Sequence, residues 1–374
     1  MTPVHKGGHS RSLAALVALA ASVTLLAVAG QRIAEQGLYY DELPQATASF
    51  AYRGQLAPMF NVAQIFGLPA LNMHYSGAIK TAMYGGYLRL TGAPFSVLTW
   101  RWLGLLLAAA GLAAFCLIAS RGVPVVTTAL LALLVVTDGN VLLSVRHDLG
   151  PVALSLAMRL VLLGLMLRRG AAGPGSREAA GIGVLLGLIT FEKLSGAVLV
   201  VPVAAFVLLC GSGSTVARMR AFAVGLFVGA LPLVWLNAQS LLEGSGLVSL
   251  GNVPAKVPVP NFALRYLRLG AGGFLQDFIL GRPPAWTPIF EGYALAAALA
   301  ATAWAAILTS KSLEHRRAAR LVLALMGIWL VIGLEMPLLP STTLVHHWIL
   351  GTPSTMRPSR SWPVYSRRTS ARLQ

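Results

Sequence analysis

Long apolar runs recur along this chain, and they constrain its fold more than any other feature. Residues 13–30 and 102–119 each match the roughly 17–25 residues that a helix needs to cross a bilayer. Hydrophobic residues make up 56% of the chain and charged residues 11%, whereas a soluble domain averages about 25% charged residues. One water-soluble core cannot hide so much apolar surface. The sequence therefore predicts an all-α, polytopic membrane helix bundle.

The chain is strongly basic, and most of its charges lie between the apolar runs. It carries 29 basic and 12 acidic residues, a formal net charge of +17 at pH 7. That placement fits contact with anionic membrane lipids and the enrichment of basic residues on the cytoplasmic side. It argues against nucleic acid as a partner. Cys116 and Cys210 lie inside apolar runs, without the spacing of a metal site or a disulfide framework.

The apolar runs predict nine crossings, with the N-terminus on the cytoplasmic side. Ala27-Val28-Ala29 resembles a signal-peptide cleavage site, but a retained helix is preferred because the rest of the chain is polytopic. The predicted crossings are 13–30, 102–119, 123–137, 152–167, two within 181–210, 220–237, 292–309 and 321–339. This order leaves 31–101 and 238–291 as long external segments.

The stretch 181–210 decides the topology. As one helix it would be about 45 Å long, against a hydrocarbon core of about 30 Å, and Glu192-Lys193 interrupts it. If it forms two helices, the short basic loop at 311–320 falls inside, as the positive-inside rule favours. Two helices are therefore predicted, with Glu192-Lys193 at the outer turn.

The first external segment contains a predicted interfacial helix. Apolar residues recur there every fourth position, at Tyr75, Ile79, Met83 and Tyr87. That period indicates a helix lying in the membrane interface. The sequence Trp100-Arg101-Trp102 then predicts the headgroup level at which the chain re-enters the bilayer.

Residues 1–352 are predicted to form one transmembrane domain, and 353–374 a disordered basic tail. The tail is rich in Ser, Pro and Arg and has no acidic residue. The predicted topology puts it outside, against the charge rule. Either the helix count is wrong, or the tail is not native sequence, as after a frameshift that truncates a longer chain. The second explanation is favoured.

Two adjacent carboxylates, Asp41 and Glu42, follow the first apolar run. They stand out because the chain has only 12 acidic residues and because they come just after a predicted crossing. One interpretation is a helix cap, with Asp41 at the cap and Glu42 in the first turn. The other is an active site at the outer face, centred on Asp41.

Two further charged groups contain candidate residues, and in them Arg146 and Lys193 are the candidates that could bind phosphate. Arg146 lies between Asp138 and Asp148, and its alternative is a side chain that snorkels to the headgroups. The alternatives for Asp148 are a pair with Arg146 or a cap on the following helix. Lys193 interrupts an apolar stretch, where ionisable residues are functional candidates, and Glu192 is its candidate ion-pair partner.

Weaker candidates lie in the remaining external segments. Arg265 and Arg268 share one face if their segment is helical, and they could meet phosphate or only lipid headgroups. Histidines could bind phosphate or metal, but no HxxxH or HxxE spacing exists, so no metal site is predicted. These histidines are His74, His346 and His347.

The order of these motifs resembles the GT-C superfamily of membrane glycosyltransferases, which includes protein O-mannosyltransferases and bacterial aminoarabinose transferases. An acidic motif, Tyr40-Asp41-Glu42, opens the first external segment, and a Gly-x-Pro and Arg re-entry runs from 90 to 101. An Arg and Asp motif occupies 146–151, a GLxxxxK motif 187–193, and a paired histidine 346–347. The resemblance covers residues 12–350. Family members continue into further helices, so it implies a C-terminally truncated chain.

The resemblance implies an inverting transfer from a sugar linked through phosphate to a polyprenol lipid. Asp41 would be the base that takes the acceptor proton, and Glu42 would orient the acceptor. Arg146, Asp148, Lys193, His74, Arg265, Arg268, His346 and His347 would form the substrate-binding set, its cations facing the lipid phosphate. No organic cofactor is implied, a divalent metal stays open, and the acceptor is unspecified.

Two alternatives come from other classes of protein. A transporter would place paired charges mid-bilayer on broken helices within repeated halves, but the sequence has no internal repeat and its charges cluster at one predicted face. An inactive, truncated membrane protein ranks behind it. The enzyme reading requires Asp41, Arg146 and Lys193 to converge on the outer face. The predicted location is the cell membrane, multi-pass, in a bacterial inner membrane with an external active face.

Overall fold

The computed structural model describes residues 7–35, 37–38, 42–55, 63–148, 152–169, 173–210, 213–250 and 286–310, together with residues 319, 323, 326 and 327. The α-helices in these ranges are α1 (Gly7–Ala29), α2 (Glu42–Ala48), α3 (Ile79–Thr91), α4 (Val97–Ala119), α5 (Val125–Thr137), α6 (Gly139–His147), α7 (Val152–Arg169), α8 (Ser176–Glu192), α9 (Val200–Cys210), α10 (Thr215–Gly229), α11 (Leu231–Leu242) and α12 (Trp286–Thr309). The strands are β1 (Ala63–Ile65), β2 (Leu68–Met73) and β3 (Ser76–Gly77). Short 3-10 helices cover Ser49–Arg53, Leu194–Leu199 and Val248–Leu250.

The helices confirm a largely helical protein with apolar segments that could span a membrane. By length and composition, Ser10–Ala29 and Val97–Ala119 qualify as candidate spans among the described residues. The bent pairs α5 with α6 and α10 with α11 raise the number to four if each pair counts as one span. The nine predicted crossings stay a prediction, and the one at 321–339 lies almost wholly outside the described residues.

Helix α4 packs against both α1 and α7. The hydroxyl of Ser22 on α1 donates to the carbonyl of Ala109 at 3.1 Å, while Gly30 after α1 contacts Trp102. These contacts run in opposite directions along the two helices, so α1 and α4 are antiparallel. Between α4 and α7, Gly104 contacts Ala153, whereas Gly122 contacts Arg168. Contacts that advance together along both helices show that α4 and α7 are parallel.

Glycines bring α8 and α10 into backbone contact. Gly183 and Gly187 on α8 face Gly225 and Gly229 on α10, and a Cβ on any of them would collide with facing backbone atoms. The spacing of four residues on both helices is the small-xxx-small pattern that lets membrane helices approach closely. Gly183 and Gly187 meet successively later residues of α10, so the two helices are parallel.

The predicted interruption at Glu192-Lys193 is confirmed. Helix α8 ends at Glu192, and Lys193 has extended backbone angles, with φ −146° and ψ 115°. The chain continues as a 3-10 helix in which Gly196 packs back against Ile189. Because α8 and α10 are parallel, the chain must return between them, and α9 lies on that return.

The predicted crossing at 220–237 differs in form from the observed helices. Helix α10 ends at Gly229 and α11 begins at Leu231, bent by 68°. Pro232 lies in the first turn of α11. Proline lacks the N–H of a helix interior and clashes with the preceding turn, so a continuous helix is not maintained here.

Residues 31–101, the predicted external segment, contain a small sheet that the all-α prediction missed. Strands β1, β2 and β3 form an antiparallel sheet in that order, with Ala63 opposite Leu71 and Leu71 opposite Gly77. The sheet packs over the end of α8 and over α11 through a cluster containing Leu71, Phe191 and Leu236. This packing places the external segment against the helices.

The predicted helix after the sheet is present as α3, but its buried face is not the apolar stripe of the sequence. Met83 and Tyr87 are 44% and 40% exposed, whereas the face with Lys80 and Tyr84 is buried. Tyr75 precedes the helix, in the connection between β2 and β3. Whether the exposed stripe meets a membrane interface stays a prediction.

Candidate functional site

Charged side chains from distant parts of the chain meet at one end of the helices. This end contains the C-terminal ends of α1 and α8 and the N-terminal ends of α4 and α7. Gly30 there contacts Trp102, Gly77 contacts Glu192, and Gly104 contacts both Lys80 and Ala153. The external segment therefore lies against the helix end to which the sequence assigns its charged motifs.

Glu42 binds Arg101 in a buried bidentate ion pair. Arg101 Nε donates to Glu42 Oε1 at 3.0 Å, and Nη2 donates to Oε2 at 2.7 Å. Both side chains are fully buried. Such a planar pair is stronger and more directional than one formed by lysine. Glu42 is thus the first residue of α2 and also joins α2 to α4.

The same guanidinium also holds the segment that leads to Glu42. Arg101 Nη1 donates to the carbonyl of Ile33 at 2.8 Å, and Nη2 donates to the carbonyl of Gly37 at 2.7 Å. Asp41 itself lies outside the described residues. Arg101 therefore fixes described residues on both sides of the predicted catalytic acid.

The motif Trp100-Arg101-Trp102 makes contacts inside the protein, and its location at the headgroup level stays a prediction. Trp100 is 0% exposed and Arg101 is 1% exposed. Trp100 packs edge-on against Tyr84, with ring centroids 5.3 Å apart. The first two members of this motif therefore contact the external segment inside the protein, because α3 covers the start of α4.

Lys80 is a buried cation that joins α3 to α4 and to the start of α7. Its Nζ donates to Asp148 Oδ2 at 2.5 Å and lies 3.8 Å from the centre of the Trp100 ring. Lys80 and Asp148 side chains are each 1% exposed. The cation–π contact and the ion pair offset the loss of hydration that a buried ammonium group suffers.

Asp148 caps α7 as well as binding Lys80. Its Oδ1 accepts hydrogen bonds from the N–H groups of Val152 and Ala153, each at 2.9 Å. A carboxylate at a helix N-terminus satisfies N–H groups that have no partner within the helix. The cap is one of the two alternatives for Asp148 in the sequence. The ion-pair partner, however, is Lys80 and not Arg146.

Arg146 lies at the same helix end but in a different environment. It is half-buried, and its Nη2 donates to the carbonyl of Arg32 at 3.1 Å. Its buried Nε has no hydrogen-bond partner in the described part of the chain. Arg146 thus reaches the segment after α1 and retains capacity to donate to an anion.

Glu192 at the end of α8 faces the start of α3. The N–H of Ile79 donates to its Oε2 at 3.1 Å, while Oε1 has no partner among the described residues. The carboxyl group is 0% exposed, and this burial raises its pKa to about 7, with Asp148 adding to the increase and the Ile79 N–H opposing it.

Lys193 follows in the chain and is 1% exposed. Its backbone pairs with Ser76 in an isolated β-bridge, and the N–H of Leu194 donates to the carbonyl of Tyr75 at 2.9 Å. The break after α8 is therefore joined to the connection before β3. Lys193 belongs to the same helix end as Glu192 and Lys80.

The other candidate residues are placed only in part. His74 Nδ1 lies 2.7 Å from the carbonyl oxygen of Val248, which joins the β2–β3 connection to the segment after α11. The remaining predicted substrate-binding residues lie outside the described residues: Arg265, Arg268, His346 and His347. Within the described ranges, no group of three or more His, Cys, Asp or Glu side chains could hold a metal ion.

Sequence reasoning missed Lys80 and Arg101 as parts of the site. The sequence did not indicate Lys80 as a buried residue, because the apolar stripe of α3 predicted the wrong buried face. A usable signal existed in Lys80, Tyr84 and Leu88, which recur every four residues and would place one lysine on an otherwise apolar face. Arg101 lay between two tryptophans, a pattern equally typical of an interface.

Comparison with known proteins identifies no family for this chain. No family model, no curated protein and no solved structure matches it.

Proposed function

We propose that this protein is an integral membrane glycosyltransferase of the GT-C type, which moves a sugar from a polyprenyl-phosphate donor to an acceptor at the outer membrane face. The proposal includes an inverting reaction, nine crossings and a bacterial inner membrane. The observation that carries it is the convergence of charged residues from the external segment and several helices at one end of those helices.

This convergence favours an enzyme that works at a membrane face. Glu42 with Arg101, Lys80 with Asp148, and the Glu192-Lys193 break come from separate parts of the chain. A donor with its lipid tail in the bilayer would present its phosphate at the membrane face, where these helix ends are proposed to lie. Buried, fully bonded ion pairs are suited to positioning, whereas the reacting groups need side chains with free capacity.

Asp41 and Arg146 are the residues proposed to act on the substrate. Arg101 binds Gly37 and Glu42, which flank Asp41 in the sequence. The proposed general base is therefore close in sequence to residues that Arg101 holds in place. Arg146 has an unpartnered Nε within the described residues and would donate to the lipid phosphate as negative charge builds on it. Lys193 is the second proposed phosphate cation.

The helix directions support the alternation on which this topology depends. Helices α4 and α7 are parallel, α1 runs opposite to α4, and α8 is parallel to α10. These directions agree with the order outward, inward, inward, outward and outward that is proposed for α1, α4, α7, α8 and α10. The same order puts the charged end outside.

The proposal is tested with membranes that contain the protein and radiolabelled polyprenyl-phosphate sugars. Asp41→Asn should abolish transfer and donor hydrolysis, because the amide cannot take the acceptor proton. Glu243→Gln is the matched control, since Glu243 is an exposed acid at the end of α11, and it should retain activity. Turnover that is unchanged in Asp41→Asn, or absent from correctly inserted wild-type protein across the donors, would contradict the proposal.

A transporter is the second candidate function. It is favoured by the broken helix at Lys193 next to a buried acid, because discontinuous helices form many ion and substrate sites. The location of the charges at one helix end argues against it. Proton-driven uptake of a solute into proteoliposomes that contain the protein, with no transfer of labelled sugar, would favour the transporter.

A further inference from the structure

The carboxyl group of Glu192 has only half of its hydrogen-bonding capacity satisfied by the described residues. The N–H of Ile79 donates to Oε2, and the N–H of Lys80 also faces the carboxylate. Oε1 is buried and has no donor there. A charged carboxylate with one bare oxygen loses hydration that nothing replaces. A proton on that oxygen removes the charge.

The neighbouring charges only partly compensate a negative charge on Glu192. Lys80 on α3 lies next to it, but its ammonium group already binds Asp148 at 2.5 Å and the Trp100 ring at 3.8 Å. Asp148 repels a second negative charge. A charged Glu192 would therefore place two carboxylates around one lysine, whereas a neutral Glu192 leaves the three side chains with no net charge.

Few other charged groups face Glu192 from the described elements that pack against it. Lys193 follows it directly, while β3, the 3-10 helix Leu194–Leu199 and α11 contain no charged residue. On α7, Arg159 is the first charged residue, roughly 10 Å along the helix from Val152 at 1.5 Å per residue. The positive charge of Lys193 would favour the carboxylate form of Glu192 and so oppose its protonation.

The packing around Glu192 is tight enough to hold its side chain in place. A Cβ on Gly77 would lie 2.8 Å from the carbonyl oxygen of Phe191 and 3.1 Å from Glu192 Oε2. Asn72 donates from Nδ2 to the carbonyl of Gly77 at 3.2 Å, and its own buried Oδ1 has no partner among the described residues. The junction thus contains two buried acceptor oxygens in need of a donor.

We propose that Glu192 is a proton-binding site at the junction of the external segment with the helices, where it takes one proton from solvent on Oε1 and releases it as the pH rises. The acid form keeps the Oε2 acceptor for Ile79 and supplies an O–H donor to the junction. The carboxylate form adds one uncompensated negative charge beside Asp148. Docking of β3 and α3 on α8 is therefore proton-dependent. This inference does not rest on the proposed transfer reaction.

Infrared spectroscopy of the full-length protein in lipid nanodiscs tests the site, because the C=O stretch of a protonated carboxyl is distinct from that of a carboxylate. Wild-type protein should show a carboxylic acid band that disappears as the pH rises from about 5 to about 9, above the ordinary titration of glutamate. Glu192→Gln should lack this band, and Glu243→Gln should keep it.

A second variant separates a proton site from a merely structural one. Asp148→Asn removes the neighbouring negative charge and frees Lys80 to bind Glu192, so the midpoint of the band should fall by about 1 pH unit or more. A wild-type protein without the band, or a band that persists in Glu192→Gln, would overturn the proposal. So would a Glu192→Gln protein that fails to fold, since the amide is the neutral isostere, or a band that responds to sodium instead of pH.

Discussion

The side chain of Lys80 shows how a single residue ties the external segment to the helices. It lies on α3, binds Asp148 before α7, contacts Trp100 on α4, and fits where Gly104 has no side chain. An ammonium group at 1% exposure is tolerated only with such partners. Removing either Lys80 or Asp148 alone should therefore lower the stability of the protein more than removing both.

Lys80→Met should destabilise the protein by about 3–5 kcal/mol, because it leaves Asp148 buried without its cation. The double variant Lys80→Met with Asp148→Asn should recover part of that loss, since neither member of the pair is then left as an uncompensated buried charge. Reversible denaturation in detergent measures both values. Equal destabilisation by the single and the double variant would show that the ion pair is not the source of the effect.

The pH dependence of stability follows from Glu192. Burial raises its pKa from 4.5 to about 7 in the folded protein, so the folded state binds a proton more tightly than the unfolded state. This contribution is fully present below the unfolded pKa and is lost as the pH rises through about 7. It is on the order of 3 kcal/mol. Thermal unfolding of wild type should weaken across this range, and Glu192→Gln should weaken less.

Among the elements, α8 is constrained both along its length and at its C-terminal end. Its glycines contact the backbone of α10, its last residue faces α3, and its break leads into the chain that returns toward α10. Gly187 belonged to a motif of the GT-C resemblance in the sequence. In the structure it also has a plain packing role against α10.

Gly187→Ala should destabilise the protein by about 1–3 kcal/mol, because the new methyl group would collide with the backbone at Leu226 and Ala230. Gly181→Ala is the matched control on the same helix, since a Cβ there meets nothing within 4 Å. The control should be neutral or slightly stabilising. Thermal unfolding of both variants checks this, and equal effects would mean that the close contact is not maintained in the folded protein.

The elements also show what sequence could and could not predict. The break at Glu192-Lys193 was predictable, because adjacent charges interrupt an apolar run that is too long for one crossing. The bend before Pro232 was not predicted, because the apolar character on both sides favours one crossing. The sheet was missed because β1 and β3 have only three and two residues, too few for an alternating pattern to register.

The region in which charged residues cluster was predictable, but their contacts were not. The scarcity of acids pointed to Asp41 and Glu42, and the charged group at 146–148 stood out between two apolar runs. Their partners, Arg101 and Lys80, are 59 and 68 residues away from Glu42 and Asp148 respectively. Spacing along one helix carries no information on such pairs, because the fold alone brings them together.

At the scale of the whole molecule, the helix directions place the charged motifs at one end and the described connecting residues 120–124 and 173–175 at the other. The short connection between α4 and α5 carries the exposed Arg121, and Arg168 and Arg169 close α7 at the same end. Basic residues gather at the cytoplasmic ends of membrane helices, which is the side proposed for this end.

Cysteine labelling checks this orientation. In a background with Cys116→Ala and Cys210→Ala, a membrane-impermeant maleimide should label Gln55→Cys in spheroplasts, because Gln55 is an exposed residue of the external segment. Arg121→Cys should be labelled only after the membrane is permeabilised. The reverse pattern would invert the proposed topology, and labelling of both without permeabilisation would argue against a crossing through α4.

The junction at Glu192 also has a consequence for the biogenesis of the protein. Ile79 and Glu192 are 113 residues apart in the chain, and a ribosome that adds about 5–20 residues per second needs roughly 6–20 s to make that interval. During this delay the sheet and α3 lack the helix end on which they pack. We therefore expect this segment to complete its packing only when α8 arrives.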